Sequence, residues 1–302
     1  MQLGMVGLGR MGGNMAERLA RAGHQVIGYD RDPDAVRAAQ GRGLGAAVSL
    51  EDLVAKLSTP RAVWVMVPSG GPAEGTLSAL AQILERGDVV VDGGNNHYKD
   101  TRRRGVTLHR KGIHLVDAGV SGGIFGLTEG YSLTVGGDEE AVKQVEPVFR
   151  SLAPGPDRGY GHVGPLGSGH FTKMVHNGVE YGLMEAYAEG LELLKAKEQF
   201  NLNLAQIAHI WCHGSVIRSW LLELTAVMLE EDPGLETVKP YVEDTGEGRW
   251  TVEESVELAV PLPVISMALQ ARFRSRQEQP FGFKVLAGMR EKFGGHMARR
   301  AQ

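Results

Sequence analysis

The sequence predicts an α/β domain followed by an all-helical domain, and two observations indicate this fold class. In the first half of the 302 residues, short apolar runs alternate with amphipathic helical patterns. That alternation is typical of βαβ units and of a mostly parallel sheet covered on both faces. From about Gly167 onward no run has a convincing strand pattern, and only long helical stretches remain. We therefore expect an α/β domain at residues 1–163 and an all-α domain at residues 164–302.

The individual elements follow from these patterns. Six apolar runs of the first domain are predicted to be strands: QLGMVGL, HQVIGYD, RAVWVMVP, DVVVDGG, IHLVDAG and YSLTVGG. Six helical patterns lie between and after them: GGNMAERLARAG, DPDAVRAAQGRG, LEDLVAKL, GPAEGTLSALAQILERG, HYKDTRRRGVTLHRKG and EEAVKQVEPVFRSLAPG. A short YGHVG comes next, and turns such as EEDPG and DTGEG separate the later helices. The 42 glycines lie mostly in short groups, which predicts many tight turns.

Composition and charge exclude several classes of function. Hydrophobic residues make up 42% and charged residues 23% of the chain, as in soluble globular proteins. The net charge of −4 provides no general basic field, so we expect no nucleic-acid or membrane partner. No apolar run approaches the roughly 20 residues of a membrane span, and no basic signal-peptide segment precedes the first strand. The single cysteine, Cys212, favours a reducing compartment, and we expect a cytoplasmic protein.

The segment GLGRMG, Gly7–Gly12, has the glycine spacing of a dinucleotide-binding loop. It follows a predicted strand and opens a predicted helix, as that loop requires. Gly7 permits the tight turn, Gly9 lets a pyrophosphate approach the backbone, and Gly12 allows close packing of helix on strand. The alternative is a glycine turn that binds no nucleotide. We expect a Rossmann-like first domain with cofactor contacts from Gly7, Leu8, Gly9, Arg10, Met11 and Gly12.

An acidic residue is expected about twenty positions further on, at the end of the second strand, and Asp30 lies there. A carboxylate accepts hydrogen bonds from the adenosine ribose hydroxyls and repels a 2′-phosphate. Arg31 could instead pair with that phosphate or stack on adenine. Asp32 adds a second negative charge. The two carboxylates favour NAD over NADP, although NADP remains the alternative.

The segment HFTKMVHNGVEYG, His170–Gly182, concentrates polar side chains inside a predicted helix. At roughly 100° per residue, Lys173, Asn177 and Glu180 fall on one narrow stripe. His176 and Tyr181 lie at its two edges. One interpretation is a solvated polar face. The glycine-rich GPLGSG that precedes the helix, and the apolar continuation of the same stripe, favour a functional site instead.

These motifs together resemble one family. The sequence resembles the decarboxylating 6-phosphogluconate dehydrogenases, within the wider β-hydroxyacid dehydrogenase group. The similarity runs nearly end to end and rests on GLGRMG, VDGGNN, DAGVSGG, HFTKMVHNGVEYG, GEGRWT and the RxxxFGGH pattern near the C-terminus. The chain resembles the short form of that family, because the long form carries a further helical stretch.

The resemblance implies a reaction of the pentose phosphate pathway and assigns roles to the polar stripe. Lys173, neutral in the reacting complex, would take the proton of the substrate hydroxyl while hydride passes to the nicotinamide. The resulting β-keto acid would lose its carboxylate, with Lys173 hydrogen-bonded to the developing enolate oxygen. Glu180 would then protonate the former carboxylate-bearing carbon to give ribulose 5-phosphate. A neutral lysine requires a lowered pKa, and no metal is needed.

The resemblance also implies the substrate contacts. The Ser121-Gly122-Gly123 turn would bind the substrate carboxylate, and Asn95 would bridge substrate and nicotinamide ribose. Val67 would line the cofactor site. Without the resemblance, the SGG segment would be interpreted as an ordinary turn after a strand. The basic residues of the C-terminal region would be interpreted as a solvated surface. The remaining contacts, to substrate hydroxyls or phosphate, would come from His176, Asn177, Tyr181, Arg272, Arg290 and His296.

One departure concerns phosphate binding. Long-form members place a lysine and a threonine on the phosphate where this sequence has Thr245 and Glu247. The loss of a cation and the gain of a carboxylate bear on phosphate affinity, and hence on the exact sugar acid.

Assembly follows from both the helical domain and the resemblance. Trp211, Trp220 and the apolar run Leu221–Leu229 need burial that a partner subunit could supply. In the family the tail arginine and histidine reach the active site of the neighbouring subunit. We therefore expect a homo-oligomer, dimer or tetramer, with shared sites.

Two other functions remain open at this point. Another β-hydroxyacid dehydrogenase, such as one acting on 3-hydroxyisobutyrate, would share the glycine loop, the SGG turn and a lysine–asparagine pair. A non-catalytic dinucleotide-binding sensor would not need Lys173 together with Glu180.

Overall fold

The computed structural model describes residues 1–294 and residue 299. The chain divides into two compact units, the first ending at Asn177 and the second beginning at Gly178. This division falls within one continuous helix, Ser168–Ala196. The domain boundary expected between residues 163 and 164 remains a prediction.

The first unit is built on an eight-stranded sheet with the order β3-β2-β1-β4-β5-β6-β7-β8. Neighbouring strands are parallel except for β6 and β7, which are antiparallel. The strands are β1 (Gln2–Val6), β2 (Gln25–Tyr29), β3 (Gly45–Ala46), β4 (Ala62–Val65), β5 (Val89–Asp92), β6 (His114–Ser121), β7 (Ser132–Gly136) and β8 (Tyr160–Gly164).

Helices connect these strands and begin the second unit. They are α1 (Arg10–Arg21), α2 (Pro33–Gly41), α3 (Leu50–Ala55), α4 (Gly71–Ile83), α5 (Tyr98–Arg110), α6 (Gly126–Glu129), α7 (Glu139–Leu152) and α8 (Ser168–Ala196). All six predicted strands and all six predicted helices of the first domain form, which confirms the α/β prediction. Elements β3 and α6 were not predicted, because they have only 2 and 4 residues and therefore show no periodic pattern. The YGHVG run forms β8.

The central strands carry apolar residues on both faces because helices cover both faces of the sheet. Trp64 of β4 belongs to one hydrophobic core, whereas its neighbours Val63 and Val65 belong to the core on the other face. This alternation follows from the two-residue period of a strand. The ring of Trp64 meets that of Phe149 edge to face, with centroids 5.7 Å apart.

The described residues of the second unit form helices joined by loops and contain no strand, as predicted. Its further helices are α9 (Leu204–Cys212), α10 (Trp220–Glu231), α11 (Glu247–Glu257), α12 (Pro263–Ser275) and α13 (Phe281–Gly294). One small core lies between α9 and α10 and includes Cys212, Leu222 and Leu229. Another joins Tyr181 to Ala268 and Leu269 of α12. None of the helices in the described residues is long and apolar enough to cross a membrane.

Candidate active site

The glycine loop between β1 and α1 has the backbone that its sequence predicts. Gly7 adopts φ +92°, a conformation that side-chain-bearing residues rarely take, and a Cβ there would overlap the carbonyl oxygen of Met66. A Cβ on Gly12 would overlap the carbonyl oxygen of Gly7, so α1 packs directly against the loop. A Cβ on Gly9 would meet no atom within 4 Å. This open position is where a pyrophosphate can approach the backbone.

Asp30 joins the glycine loop to the end of β2. Its Oδ2 accepts a hydrogen bond of 2.7 Å from the backbone N–H of Leu8, and its Oδ1 accepts one of 2.9 Å from that of Asp32. Asp32 in turn caps α2 by accepting from the N–H of Asp34. The carboxylate expected to bind the adenosine ribose therefore lies beside the loop and also holds its backbone in place.

These residues line a cavity of about 530 Å³ in the first unit. Gly7, Gly9, Asp30, Arg31 and Val67 all contribute to its wall. The first turn of α1 contains no acidic residue, so the positive end of the helix dipole is available to an anion. The cavity, the open Gly9 and the carboxylate of Asp30 in the cavity wall fit a nicotinamide dinucleotide.

The other predicted cofactor residues take different positions. The side chain of Leu8 is buried against Gly28 of β2, so only the backbone of Leu8 can contact a dinucleotide. Met11 packs against the core, whereas Arg10, the first residue of α1, is exposed.

Asn95 lies in the turn that follows β5. A Cβ on Gly94 would be 2.7 Å from the carbonyl oxygen of Val67, so this turn packs against the wall of the dinucleotide cavity. The amide Nδ2 of Asn96 donates to Oδ1 of Asp92 at 2.8 Å and closes the turn. Asn95 itself is exposed.

The Ser121-Gly122-Gly123 turn follows β6. Gly122 and Gly123 adopt φ +136° and +51°, both in the range that favours glycine. A Cβ on Gly123 would meet no atom within 4 Å, so its backbone is open to a bound group. The turn leads into a 3₁₀ helix, Gly123–Phe125, which α6 follows.

The first turn of α8 is fixed by a residue that the sequence analysis did not single out. Asp117, within DAGVSGG and fully buried on β6, accepts 2.7 Å hydrogen bonds from the backbone N–H groups of Gly167 and His170. These donors at the start of a helix have no intrahelical partner, and a carboxylate also complements the helix dipole. The sequence signal was present, since an aspartate lies inside an otherwise apolar strand, but its partner Gly167 lies 50 residues away.

Lys173 is held on this helix by two neighbours. Its Nζ donates to Oδ1 of Asn177 at 2.6 Å and lies 3.3 Å from Nδ1 of His176. Only 8% of Lys173 is exposed. The structure thus brings together Lys173 and Asn177 of the predicted stripe and His176 at its edge.

In the second unit, Tyr181 and Arg272 form a separate pair. The guanidinium carbon of Arg272 lies 3.5 Å from the ring centroid of Tyr181, a cation–π contact. Nη1 of Arg272 also donates to the carbonyl oxygen of Glu243 at 2.8 Å. A Cβ on Gly248 would overlap the ring of Tyr181, so α11 also packs closely against this ring. Tyr181 is 6% exposed.

The two positions that depart from the long-form pattern also contact each other in the second unit. The hydroxyl of Thr245 donates to Oε2 of Glu247, the first residue of α11. Glu247 is buried, with 3% of its surface exposed. A buried carboxylate therefore lies where the resemblance leads us to expect a threonine.

Glu180, Arg290 and His296 are the remaining residues of the predicted site. Glu180, on α8, is half-buried, and Arg290, on α13, is exposed. His296 lies outside the described residues. In the part of the chain that the structure describes, no group of three or more His, Cys, Asp or Glu side chains is arranged to hold a metal ion.

The glycine loop, its partner Asp30 and the buried Lys173 define a nicotinamide-dinucleotide-dependent oxidoreductase with a helical second domain. Residues 2–164 match the family model described as the NAD binding domain of 6-phosphogluconate dehydrogenase. Residues 169–284 match the model for the C-terminal domain of 6-phosphogluconate dehydrogenase. The chain therefore belongs to the 6-phosphogluconate dehydrogenase family.

Individual relatives agree. An NAD(+)-dependent, decarboxylating 6-phosphogluconate dehydrogenase of Haloferax volcanii is 44% identical over 99% of this chain and 99% of its own length. The structure of Plasmodium falciparum 6-phosphogluconate dehydrogenase superposes with a TM-score of 0.83 at 27% identity, and the match covers 100% of this chain and 66% of that one. Mycobacterium tuberculosis 3-hydroxyisobutyrate dehydrogenase has a TM-score of 0.70 at 23% identity, covering 91% and 94% of the two chains. This last similarity concerns the fold alone.

Proposed function

We propose that this protein oxidatively decarboxylates 6-phosphogluconate to ribulose 5-phosphate and CO2, with reduction of NAD or NADP. The observation that carries the proposal is Lys173, buried on α8 with its amine held by Asn177 and His176. The Haloferax relative, similar over the whole length of both chains, is named for this reaction.

Lys173 would act as the general base of the oxidation. A neutral amine has two N–H donors and one lone pair. Asn177 Oδ1 and His176 Nδ1 lie within 3.3 Å of Nζ and can accept from the two N–H groups. The lone pair would then take the proton of the substrate hydroxyl. Burial supports this role, because a low-dielectric environment disfavours the charged form of an amine.

The dinucleotide, bound by Gly7, Gly9, Asp30 and Val67, would supply the hydride acceptor. After oxidation the protonated Lys173 would donate to the developing enolate oxygen while the carboxylate leaves as CO2. Glu180, seven residues along α8, would then deliver a proton to the carbon that lost the carboxylate. The acid and the base would thus be carried by one helix.

Substrate orientation would come from the remaining residues. The Ser121 hydroxyl and the open backbone of Gly122 and Gly123 would hold the carboxylate that leaves, and Asn95 would bridge substrate and cofactor. His176, Asn177 and Tyr181 would bind hydroxyls, and Arg272, already fixed by Tyr181 and the Glu243 carbonyl, would bind the phosphate.

The buried Glu247 would weaken that phosphate contact relative to long-form members. A carboxylate repels a phosphate dianion, and the lysine of the long form has no counterpart at Thr245.

We also propose that NAD is the better cofactor. The carboxylate of Asp30 is held against the glycine loop by the N–H of Leu8, where a 2′-phosphate would meet its negative charge. Asp32 adds charge nearby, whereas Arg31 lines the same cavity and would favour NADP. The buried, reduced Cys212 suits a cytoplasmic enzyme.

Finally, we propose a homo-oligomer, dimer or tetramer, in which Arg290 and His296 of one subunit complete the phosphate site of another. The helical unit supports association because it exposes many large apolar side chains. Phe281 is 78%, Met267 68% and Trp220 46% exposed. Apolar surfaces of this extent mark interaction sites.

The deciding experiment measures NAD and NADP reduction with 6-phosphogluconate and, separately, with 3-hydroxyisobutyrate. We expect turnover with 6-phosphogluconate, with CO2 and ribulose 5-phosphate formed in equal amounts to the reduced cofactor. Turnover only with 3-hydroxyisobutyrate would replace the proposal with the related dehydrogenase. Cofactor binding without turnover of either acid would indicate a sensor.

A further inference from the structure

Two buried carboxylates occupy equivalent positions on neighbouring strands. Asp92 of β5 and Asp117 of β6 are register partners, and both are fully buried. Both carboxylate oxygens of Asp117 accept hydrogen bonds from backbone N–H groups at the start of α8, the helix that contains Lys173. Oδ1 of Asp92 accepts a hydrogen bond from the side chain of Asn96, and this bond closes the turn that contains Asn95. Each carboxylate therefore fixes one functional segment.

His170 connects these two segments. Its backbone N–H donates to Asp117, and its Nδ1 lies 2.7 Å from Oγ1 of Thr101. Thr101 belongs to α5, the helix that directly follows the Asn95 turn, whereas His170 lies three residues before Lys173 on α8. Both side chains are buried, with 2% or less exposed. The His170–Thr101 pair is thus a direct link between the two segments.

The second oxygen of Asp92 faces the same interior. Burial raises the pKa of Asp92, and the nearby charges of His170 and Arg104 act in the opposite direction. Nη1 of Arg104 lies 3.7 Å from Oδ2 of Asp92, too far for a hydrogen bond.

Four polar atoms in this interior are buried without a hydrogen-bond partner among the described protein atoms: Oδ2 of Asp92, Nη1 of Arg104, Nε2 of His170 and Oδ1 of Asn96. Donors and acceptors buried in this way are typically joined by an ordered water.

We propose that Asp92, Thr101 and His170 are positioning residues that, with Arg104 and a buried water, hold the Asn95 turn in register with the first turn of α8, and hence with Lys173. Apolar side chains of similar volume could fill this interior without loss of stability. The contribution of the polar network is therefore a fixed geometry. The inference rests on the proposed function, because it assigns Asn95 and Lys173 to one active site.

The test compares buried carboxylates at the two ends of β5. Thr101→Val removes the partner of His170 with little change of shape, and Asp92→Asn weakens the network directly. Asp88→Asn is the matched control, because Asp88 is 1% exposed and accepts from the N–H groups of Arg61 and Glu85. We expect kcat to fall by about 10²-fold in the first two variants, because small misplacements of reacting groups typically cost this much in rate. Thr101→Ser should restore kcat, and the control should keep it.

Amide hydrogen exchange provides a readout that does not need turnover. Exchange at residues 93–97 and 167–173 should be faster in Thr101→Val and Asp92→Asn than in the parent, and should not change in Asp88→Asn. If Thr101→Val and Asp92→Asn keep the parent kcat and exchange pattern, the inference is wrong. If the parent itself does not oxidise 6-phosphogluconate, the proposed function fails, while the exchange pattern still decides whether the network couples the two segments.

Discussion

Gly119 lies on β6 directly beneath Lys173, so close that a Cβ at position 119 would overlap the Cβ of the lysine. The same added atom would come within 2.6 Å of Oγ1 of Thr134 and 2.7 Å of the carbonyl oxygen of Gly169. Helix α8 therefore rests on the sheet at this point without an intervening side chain. This contact fixes where the side chain of Lys173 starts, and Asn177 and His176 contact its amine.

We expect Gly119→Ala to reduce kcat strongly because the helix must move away from the sheet. A displacement near 1 Å typically costs about 10²-fold in rate. Crowding should also lower the free energy of unfolding by about 1–3 kcal/mol. Gly161→Ala on β8 is the matched control, since a Cβ there meets nothing within 4 Å. Parent-like turnover in Gly119→Ala would show that the contact does not position Lys173.

Lys173→Met should abolish oxidation of 6-phosphogluconate. Removal of a general base typically costs about 10²–10⁴-fold, and methionine keeps the length of the side chain without its amine. Initial rates measured by absorbance of the reduced cofactor test this, with dinucleotide affinity measured separately by calorimetry and expected to be unchanged. Lys143→Met, a lysine with 66% of its side chain exposed, controls for loss of charge. Normal turnover in Lys173→Met would refute the assignment.

The site divides into parts that the sequence predicts and parts that need the fold. Local sequence patterns were enough to predict the GLGRMG loop, Asp30 and the polar stripe of α8, because each depends on residue spacing within one or two elements. Asp117 and Gly119 were missed, since their partners at Gly167 and Lys173 are brought to them only by the packing of α8 on β6. A helical wheel places Lys173 on a stripe but cannot show that the helix rests on a glycine.

Asp30→Ser should move the ratio of specificity constants toward NADP. The substitution removes a charge that repels a 2′-phosphate. It also removes the acceptor for the Leu8 N–H, so binding of both cofactors should weaken, and the ratio is the informative quantity. Asp34→Ser, which removes a nearby exposed charge on α2, should leave the ratio unchanged. A parent enzyme that already prefers NADP would show that Arg31 outweighs Asp30 and Asp32.

Asp244 should make the second unit sensitive to acid. The guanidinium groups of Arg249 and Arg276 lower the pKa of Asp244 from 3.8 to about 2. Because the folded pKa lies below the unfolded one, these pairs stabilise the fold above about pH 4, and the contribution is lost as the pH falls toward 2.

We therefore expect Asp244→Asn to lower the melting temperature at neutral pH, with the difference from the parent shrinking between about pH 4 and pH 2. Asp34→Asn should change little at any pH, because the Asp34 side chain is 79% exposed and surface pairs contribute little. If the difference in melting temperature between Asp244→Asn and the parent stays constant from about pH 4 to pH 2, the ion pairs of Asp244 are not its cause.

Shared active sites predict that two inactive variants can restore each other. In a Lys173→Met subunit the tail residue Arg290 is intact, and in an Arg290→Ala subunit Lys173 is intact. A hybrid dimer would then contain one site with both groups. Mixing the two variants under conditions of subunit exchange should regenerate activity, measured as reduction of NAD with 6-phosphogluconate. Neither variant alone should show this activity.

The control for this experiment mixes Lys173→Met with Glu180→Gln. Both residues belong to α8 of one subunit, so every site of that hybrid lacks one of them and the mixture should stay inactive. Mass spectrometry of intact complexes verifies that hybrids form in both mixtures. Restored activity in the first mixture but not in the second requires Arg290 to act across the subunit boundary. A fully active monomer in light scattering, or an inactive first mixture with hybrids present, would show that each chain completes its own site.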